Sequence, residues 1–372
     1  MEIRIRTHDR MLFKRCRRKW HWTSGIRGNL EPKERPIYFW FGHGGHYALE
    51  DFNGYNNYGH PVEAFKAYIE ACKRSKHTYM PVDDLDEYVE LGTAMLNYYM
   101  SWLQSRSPLE TLWVDGVPQV EVHVRVVLPR EEMTEKTQEM LKLWEEELEE
   151  PIEIIYTAGL DRVCYDPEAL LWISDYKFFI RLSTMHLETD PQASAYSWVG
   201  DCLYDQPIEG FMLQQHLKTI PEGPHFNVSS STYSVAQNQR TSHRMYRDAL
   251  INLYGDVQSA PQGNIRFLND LSAKESEDFD PFIRRDWIKR NPAQIAGEGT
   301  KIMLELEEML DPGLPIYTNA TKDCSWDCNL RDICIAVDRN DDWELTLADT
   351  TTNREEDDTS WRNHLPHLDR VV

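Results

Sequence analysis

The sequence predicts a mixed α/β protein, a strand core wrapped by helical insertions, and three observations lead to it. From about 37 to 110, apolar residues such as Tyr47, Ala48, Phe52, then Ala64, Phe65, Tyr68, Ile69, then Tyr88, Leu91, Met95 and Tyr99 recur at three- and four-residue intervals. That is the period of helices with one buried face. The period then drops to two across 118–128, where Val120, Val122, Val124 and Val126 alternate with Glu121, His123 and Arg125, marking a half-buried strand. Two further apolar runs, at about 152–164 and 169–177, flank the turn residues Tyr165-Asp166-Pro167-Glu168 and read as an antiparallel hairpin.

The remaining elements follow in order. Residues 131–150 carry nine Glu against two Lys around Met140, Leu141, Leu143 and Trp144, the pattern of a solvated helix inserted between strands. After the hairpin, Thr189 or Asp190 supplies an N-cap and Pro191 the first position of a helix. Strands are expected at 207–217 and 226–235, and mostly helix over 238–311. Residues 335–372 hold ten acids and four bases with little periodicity, and are expected to be extended and peripheral. With no internal repeat and no Gly/Ser linker, the chain divides by composition into a basic segment 1–36, a helical region 37–115, a strand core 116–236, a helical region 237–320, a cysteine-bearing segment 321–335 and an acidic tail 336–372.

Composition excludes several classes. The 372 residues are 41% hydrophobic and 27% charged, which is globular rather than disordered. No apolar run is long enough to span a bilayer, and the basic N-terminus lacks the apolar stretch of a secretory leader, so an intracellular protein without membrane contact is expected. The net charge is −22, but residues 1–35 hold eleven Lys or Arg against four acids. A basic strip, Lys14, Arg15, Arg17, Arg18 and Lys19, therefore sits on an acidic body and reads either as a phosphate-contacting surface or as a solvated arm. Trp20 and Trp22 beside it read either as stacking surfaces or as core.

Seven cysteines, an odd number, argue against a disulfide framework. Cys72, Cys164 and Cys202 stand alone in apolar surroundings and read as buried thiols. Cys324, Cys328 and Cys334 lie close together, and Cys16 lies at the other end of the chain.

Candidate chemistry collects where the hairpin strands become polar. The first strand runs into Asp161 and the second into Asp175-Tyr176-Lys177, and the hairpin can bring Asp161 alongside Asp175 and Lys177. Paired carboxylates repel unless a cation such as Mg²⁺ or Mn²⁺ neutralises them, although a D-x-K run also reads as a salt bridge at a strand end. Upstream, the Gly44-Gly45 pair precedes His46, four residues before Glu50 on one helical face. Downstream, Gln192 and Tyr196 share a face at the same spacing. Taken singly, each has a packing role as its alternative.

In this order the motifs resemble the RecB-like branch of the PD-(D/E)xK nucleases, and within it the iron–sulfur exonucleases of CRISPR-associated and phage type. The resemblance covers about 1–335 and rests on Gly42 to His46, Gly159-Leu160-Asp161-Arg162-Val163, Asp175-Tyr176-Lys177, Gln192 to Tyr196, and one N-terminal plus three C-terminal cysteines. It implies a restriction-endonuclease-like core over 116–236 with helical insertions, and a cysteine-ligated lobe joining the two chain ends. It implies His46, Asp161, Asp175 and the Tyr176 carbonyl as ligands of Mg²⁺ or Mn²⁺, and Lys177 as the catalytic lysine. Gln192 and Tyr196 would steady the lysine, the water or the DNA, with Glu121 as a neighbouring acid. Cys16, Cys324, Cys328 and Cys334 would hold a 4Fe–4S cluster, with structural Zn²⁺ on the same thiolates as the competing reading. Cys324 and Cys328 are separated by one residue more than the family's usual C-x2-C, and Arg17 stands where Pro is usual.

The function implied is a metal-dependent DNA exonuclease acting on single strands or ends, in phage or bacterial recombination, replication or repair, in the cytoplasm. Partners would be DNA, further copies of the chain, or recombination and replication proteins. The alternatives are a noncatalytic DNA-binding or packaging subunit on the same fold, and an RNA-directed nuclease.

Overall fold

A computed structural model describes residues 1–33, 37–75, 85–184 and 187–354. Its centre is a seven-stranded mixed sheet. The main strands are β1 (Glu2–Arg6), β2 (Val120–Val127), β3 (Glu153–Tyr165), β4 (Leu171–Phe179), β5 (Ile208–Leu217) and β6 (Ile283–Lys289), with a short strand at Glu110–Thr111. The order is β1–β3–β4–β5–β6, and β2 and the short strand pair with β3 as well. β1 runs parallel to β3 and β4 parallel to β5, and the other pairs are antiparallel.

Pairing along β3 creates the feature that matters for function. β2 covers Ile155 to Arg162 on one edge of β3. On the opposite edge β1 pairs with Glu153 to Thr157 and β4 with Arg162 to Tyr165. Residues Ala158 to Asp161 on that edge thus lie between the two partners, where β4 diverges from β3 and the sheet forks.

Helices cover both faces. On one side α3 (Ile37–Asn53), α4 (Pro61–Ser75) and α5 (Leu85–Leu103) bury the stripe foreseen in the sequence, including Ala48, Phe65, Tyr68, Met95 and Tyr99, against Tyr176 and Leu217. A Cβ at Gly45 would lie 2.3 Å from the Phe178 ring, so only glycine lets α3 approach β4 this closely. On the other side α1 (Thr7–Arg15), α7 (Pro191–Leu203) and α10 (Pro292–Leu310) pack on Ile3, Ile5, Leu160, Ile173 and Phe211. Asp190 caps α7, its carboxylate accepting the Gln192 amide at 2.7 Å, and Pro191 occupies the first turn. The acidic stretch forms α6 (Glu135–Leu148), held to the core by Leu141.

Several expectations are corrected. β1 and β6 join the sheet from segments read as a basic arm and as helix, so 116–236 does not contain the whole core. In β6 only Ile283 and Ile288 among the apolar residues are deeply buried, and Arg284, Arg285 and Lys289 hide the strand pattern. The strand expected at 226–235 is instead a two-residue hairpin, Phe226–Asn227 with Thr232–Tyr233, interrupted at Ser231 by a left-handed backbone. Residues 335–354 are not extended: they continue α11 (Arg331–Arg339), form α12 (Trp343–Thr350), and end in Thr351–Asn353 paired with Leu30–Pro32. Their few apolar residues suffice, since Val337, Trp343 and Leu347 pack with Trp22 and Ile333. Residues 355–372 lie outside the described residues. No helix among the described residues is long and apolar enough to cross a membrane.

The basic strip is also corrected. Lys14 pairs with Glu305, Arg15 with Asp327, Arg17 with Glu308 and Arg18 with Asp338. It belongs to α1 and to the next helix, α2 (Arg17–Thr23), and it fastens them to the C-terminal part of the chain. Trp20 and Trp22 are buried, Trp20 edge-on to Phe13, so neither offers a stacking surface.

Candidate metal centre and cysteine lobe

The fork gathers the candidate residues. Asp161, at the end of the unpartnered stretch of β3, accepts the Tyr176 amide of β4 at 2.7 Å, which bridges the diverging strands. Helix α3 brings His46 over it, with Nδ1 at 3.2 Å from Asp161 Oδ2 and 3.6 Å from Glu121 Oε1. Among the described residues, His46, Glu121 and Asp161 form the group whose ligand atoms all lie within 4.8 Å of one another. Glu121 sits between Val120 and Val122, paired with Arg162 and Leu160, and has φ of 47°. A left-handed non-glycine inside a strand costs of order 1 kcal/mol, and here it coincides with a carboxylate turned to His46.

Asp175 and Lys177 form the other half of the site. Lys177 Nζ is 2.8 Å from Asp175 Oδ2 and 3.0 Å from Oδ1. Gln192 Nε2 of α7 donates to Asp175 Oδ1 at 3.2 Å. Asp175 is therefore ion-paired with Lys177 and stands outside the His46–Glu121–Asp161 group. Tyr196 is buried against Phe211 next to this pair, and burial raises the pKa of its phenol. The Tyr176 ring is buried on the α3 side, its hydroxyl accepting from Asn53 at 3.2 Å and from Arg162 at 3.4 Å. Arg162 also donates to the Leu109 carbonyl at 2.6 Å and to Thr111 at 2.9 Å, fastening the β3 side of the fork. Sequence reasoning does not single out Arg162 or Asn53, although Arg162 directly follows Asp161 in the Gly159–Val163 run.

The electrostatics follow from burial and mutual contact. Burial opposes the charge on His46, but Asp161 and the hydrogen bonds to Asp161 and Glu121 outweigh it and raise its pKa to about 10. Burial likewise opposes the Asp161 charge, yet His46, Lys177 and the Tyr176 amide hold its pKa below the usual value. Asp175, desolvated and near Asp161, is raised to about 6 despite Lys177. Burial would lower the Lys177 pKa, but the Asp175 and Asp161 charges raise it, so the ammonium stays charged. One imidazole and two carboxylates form an N/O donor set of the kind that holds a divalent cation.

The fold brings the two chain ends that carry the remaining cysteines side by side. Cys16 lies between α1 and α2, and Cys328 and Cys334 pack with Trp22 and Leu330. Arg18 donates to Cys334 Sγ at 3.3 Å and the Thr321 amide to Cys324 Sγ at 3.5 Å. All four are free thiols of intermediate exposure. A tetrahedral zinc site with bonds of about 2.3 Å holds its sulfurs within roughly 4 Å of one another. Among the described residues no three cysteine sulfurs stand within 4.8 Å, so the thiols are spread more widely than one zinc ion gathers them. Cys72 and Cys164 are buried as expected, whereas Cys202 is exposed on the last turn of α7. No family model matches the chain, and no curated protein matches it either.

Proposed function

We propose that the protein is a metal-dependent DNA exonuclease of PD-(D/E)xK type, acting on single strands or DNA ends. The observation that carries this reading is the fork, which sets His46, Glu121 and Asp161 in one ligand group beside the Asp175–Lys177 pair. Mg²⁺ or Mn²⁺ held by that group would supply Lewis acidity toward a phosphoryl oxygen and a water of lowered pKa. The chain's own residues do the rest. Lys177 presents a cation where charge grows on the phosphate, Asp175 fixes the ammonium, and Gln192 fixes Asp175. The test is an assay of labelled single- and double-stranded DNA and RNA with Mg²⁺, Mn²⁺ or EDTA. Linear single-stranded DNA should shorten from an end with either metal and stay intact in EDTA, while covalently closed duplex circles resist. Intact substrates under every condition would overturn the reading.

Metal affinity should depend on pH. His46 must be neutral to act as a ligand. Because its pKa lies at about 10, protons compete with the metal at all lower pH. Mn²⁺ affinity should therefore rise by up to about tenfold per pH unit from neutrality toward that value, with proton release visible by calorimetry in buffers of different ionisation enthalpy. A flat profile would exclude His46 as a ligand.

The same reading places a 4Fe–4S cluster on Cys16, Cys324, Cys328 and Cys334. Protein purified without oxygen should be brown, contain about four irons per chain, and lose both with Ser at any of these positions. The Cys72→Ser, Cys164→Ser and Cys202→Ser variants should keep the iron. Stoichiometric zinc without iron would overturn the cluster. Cluster loss should loosen the chain ends without freeing them, since Arg15–Asp327, Arg18–Asp338 and the Leu30–Pro32 pairing also join them.

A further inference from the structure

The chain carries a net charge of −22, yet one groove beside the fork gathers arginines. A cavity of about 1160 Å³ is lined by five arginines and a single carboxylate, Glu2, while Arg6 also pairs with Asp9 and Arg354 with Glu31 behind the lining. Strand register lays out its floor. Arg6 of β1 stands opposite Thr157 of β3, and Thr157 opposite Arg125 of β2, so the two cations form a row across the sheet. Two residues further along β3, a step of about 6.6 Å, Gly159 stands opposite His123. Two more residues lead to Asp161. Gly159 is exposed, and nothing lies within 4 Å of where its Cβ would be, so the floor is open beside the metal group.

Arg4 and Arg125 are 54% and 52% exposed and share one counter-ion, both donating to Glu2. One carboxylate between two guanidinium groups leaves the pair net positive. The aromatic rings of Trp144 and Tyr196, which pack on the core side, line the same cavity. Basic groups that track a backbone in a cavity that also offers aromatic faces suit unpaired nucleotides, whose bases are free to stack; the bases of a duplex are not.

We propose that this groove binds a single-stranded phosphodiester chain and leads it along β3 to Asp161, with Arg4, Arg6 and Arg125 on phosphates and Trp144 against a base. The proposal rests on the nuclease reading for the chemistry at the end of the track, but binding is separable from cleavage. The test uses the full chain in EDTA and a fluorescent oligothymidylate, followed by anisotropy across a salt series. The Arg4→Glu/Arg125→Glu variant should bind at least about tenfold more weakly and flatten the slope of log affinity against log salt by roughly 0.7 for each phosphate no longer neutralised. Gly159→Leu should weaken binding by filling the floor with every charge intact, and Lys66→Glu, on α4, should bind as wild type. Unchanged binding in both groove variants would overturn the proposal, and so would equal competition by blunt duplex. Competition by oligouridylate would show that the groove reads the backbone common to both nucleic acids, as proposed. Groove-dependent binding without cleavage in Mn²⁺ would leave the groove standing and remove the nuclease reading; cleavage that ignores the groove variants would do the reverse.

Discussion

Asp161→Ala should abolish metal-dependent hydrolysis, lowering the rate on the order of 10²–10³-fold or more, because it removes a charge that serves both halves of the site. Its Oδ2 accepts the Tyr176 amide and faces His46 Nδ1, so the variant loses a ligand and the bridge across the fork together. Glu121→Gln should weaken Mn²⁺ binding by calorimetry while leaving that bridge intact. Lys177→Ala should lose hydrolysis but keep Mn²⁺ affinity, since Lys177 contacts Asp175 rather than the ligand group. For Asp175→Ala the structure sharpens the expectation: with Asp175 bound to Lys177 and Gln192, its loss should free the ammonium and lower the rate more than the Mn²⁺ affinity. Normal rates in Asp161→Ala and Lys177→Ala would exclude the fork as the catalytic centre. Binding of oligothymidylate by Asp161→Ala in EDTA shows whether the fold survives, which separates chemistry from collapse.

What is legible in the sequence is local. The switch from a 3.6-residue to a two-residue period locates α3 to α5 and β2 to β4, because one buried face is enough to write each pattern. The motif residues His46, Asp161, Asp175, Lys177, Gln192 and Tyr196 do converge, since a hairpin and the helices at its end have few ways to pack. Glu121 is harder: alternation shows only that it shares the polar face with His123 and Arg125, and the register that sets it across from Asp161, between the Val120–Arg162 and Val122–Leu160 pairs, needs β3. β1 escapes notice because five residues with alternating Ile and Arg look like part of a basic arm until β3 is there to pair with them. The strip at 14–19 misleads for a related reason. Local charge counting sees cations, whereas the neutralising acids lie about 290 residues or more away, at Glu305, Glu308, Asp327 and Asp338. The cationic surface that does flank the site is assembled from β1 and β2, which no window of sequence contains together.

The same long-range pairing sets the largest expected loss of stability. Arg10 on α1 is 2% exposed and donates to Glu298 at 2.9 Å and to Glu305 at 2.6 Å on α10, with its guanidinium 5.9 Å from the centre of the Tyr156 ring. Desolvating these groups is costly, so the pair adds little beyond what well-packed apolar side chains would give, but removing one partner strands the other. Arg10→Ala should therefore destabilise the fold by about 3 kcal/mol, the lower end of the range for a broken buried pair, because Lys301 and Lys14 remain as weaker partners for the two carboxylates. Urea unfolding followed by tryptophan fluorescence measures this as a drop in midpoint, Trp20 being buried in the same layer. An Arg10→Met/Glu298→Leu double variant should recover most of the loss, since it removes the stranded charge along with the cation. If the double variant is as unstable as Arg10→Ala, the guanidinium contributes through its stacking and its bond to Glu305, and the buried Glu298 carboxylate is not the source of the cost.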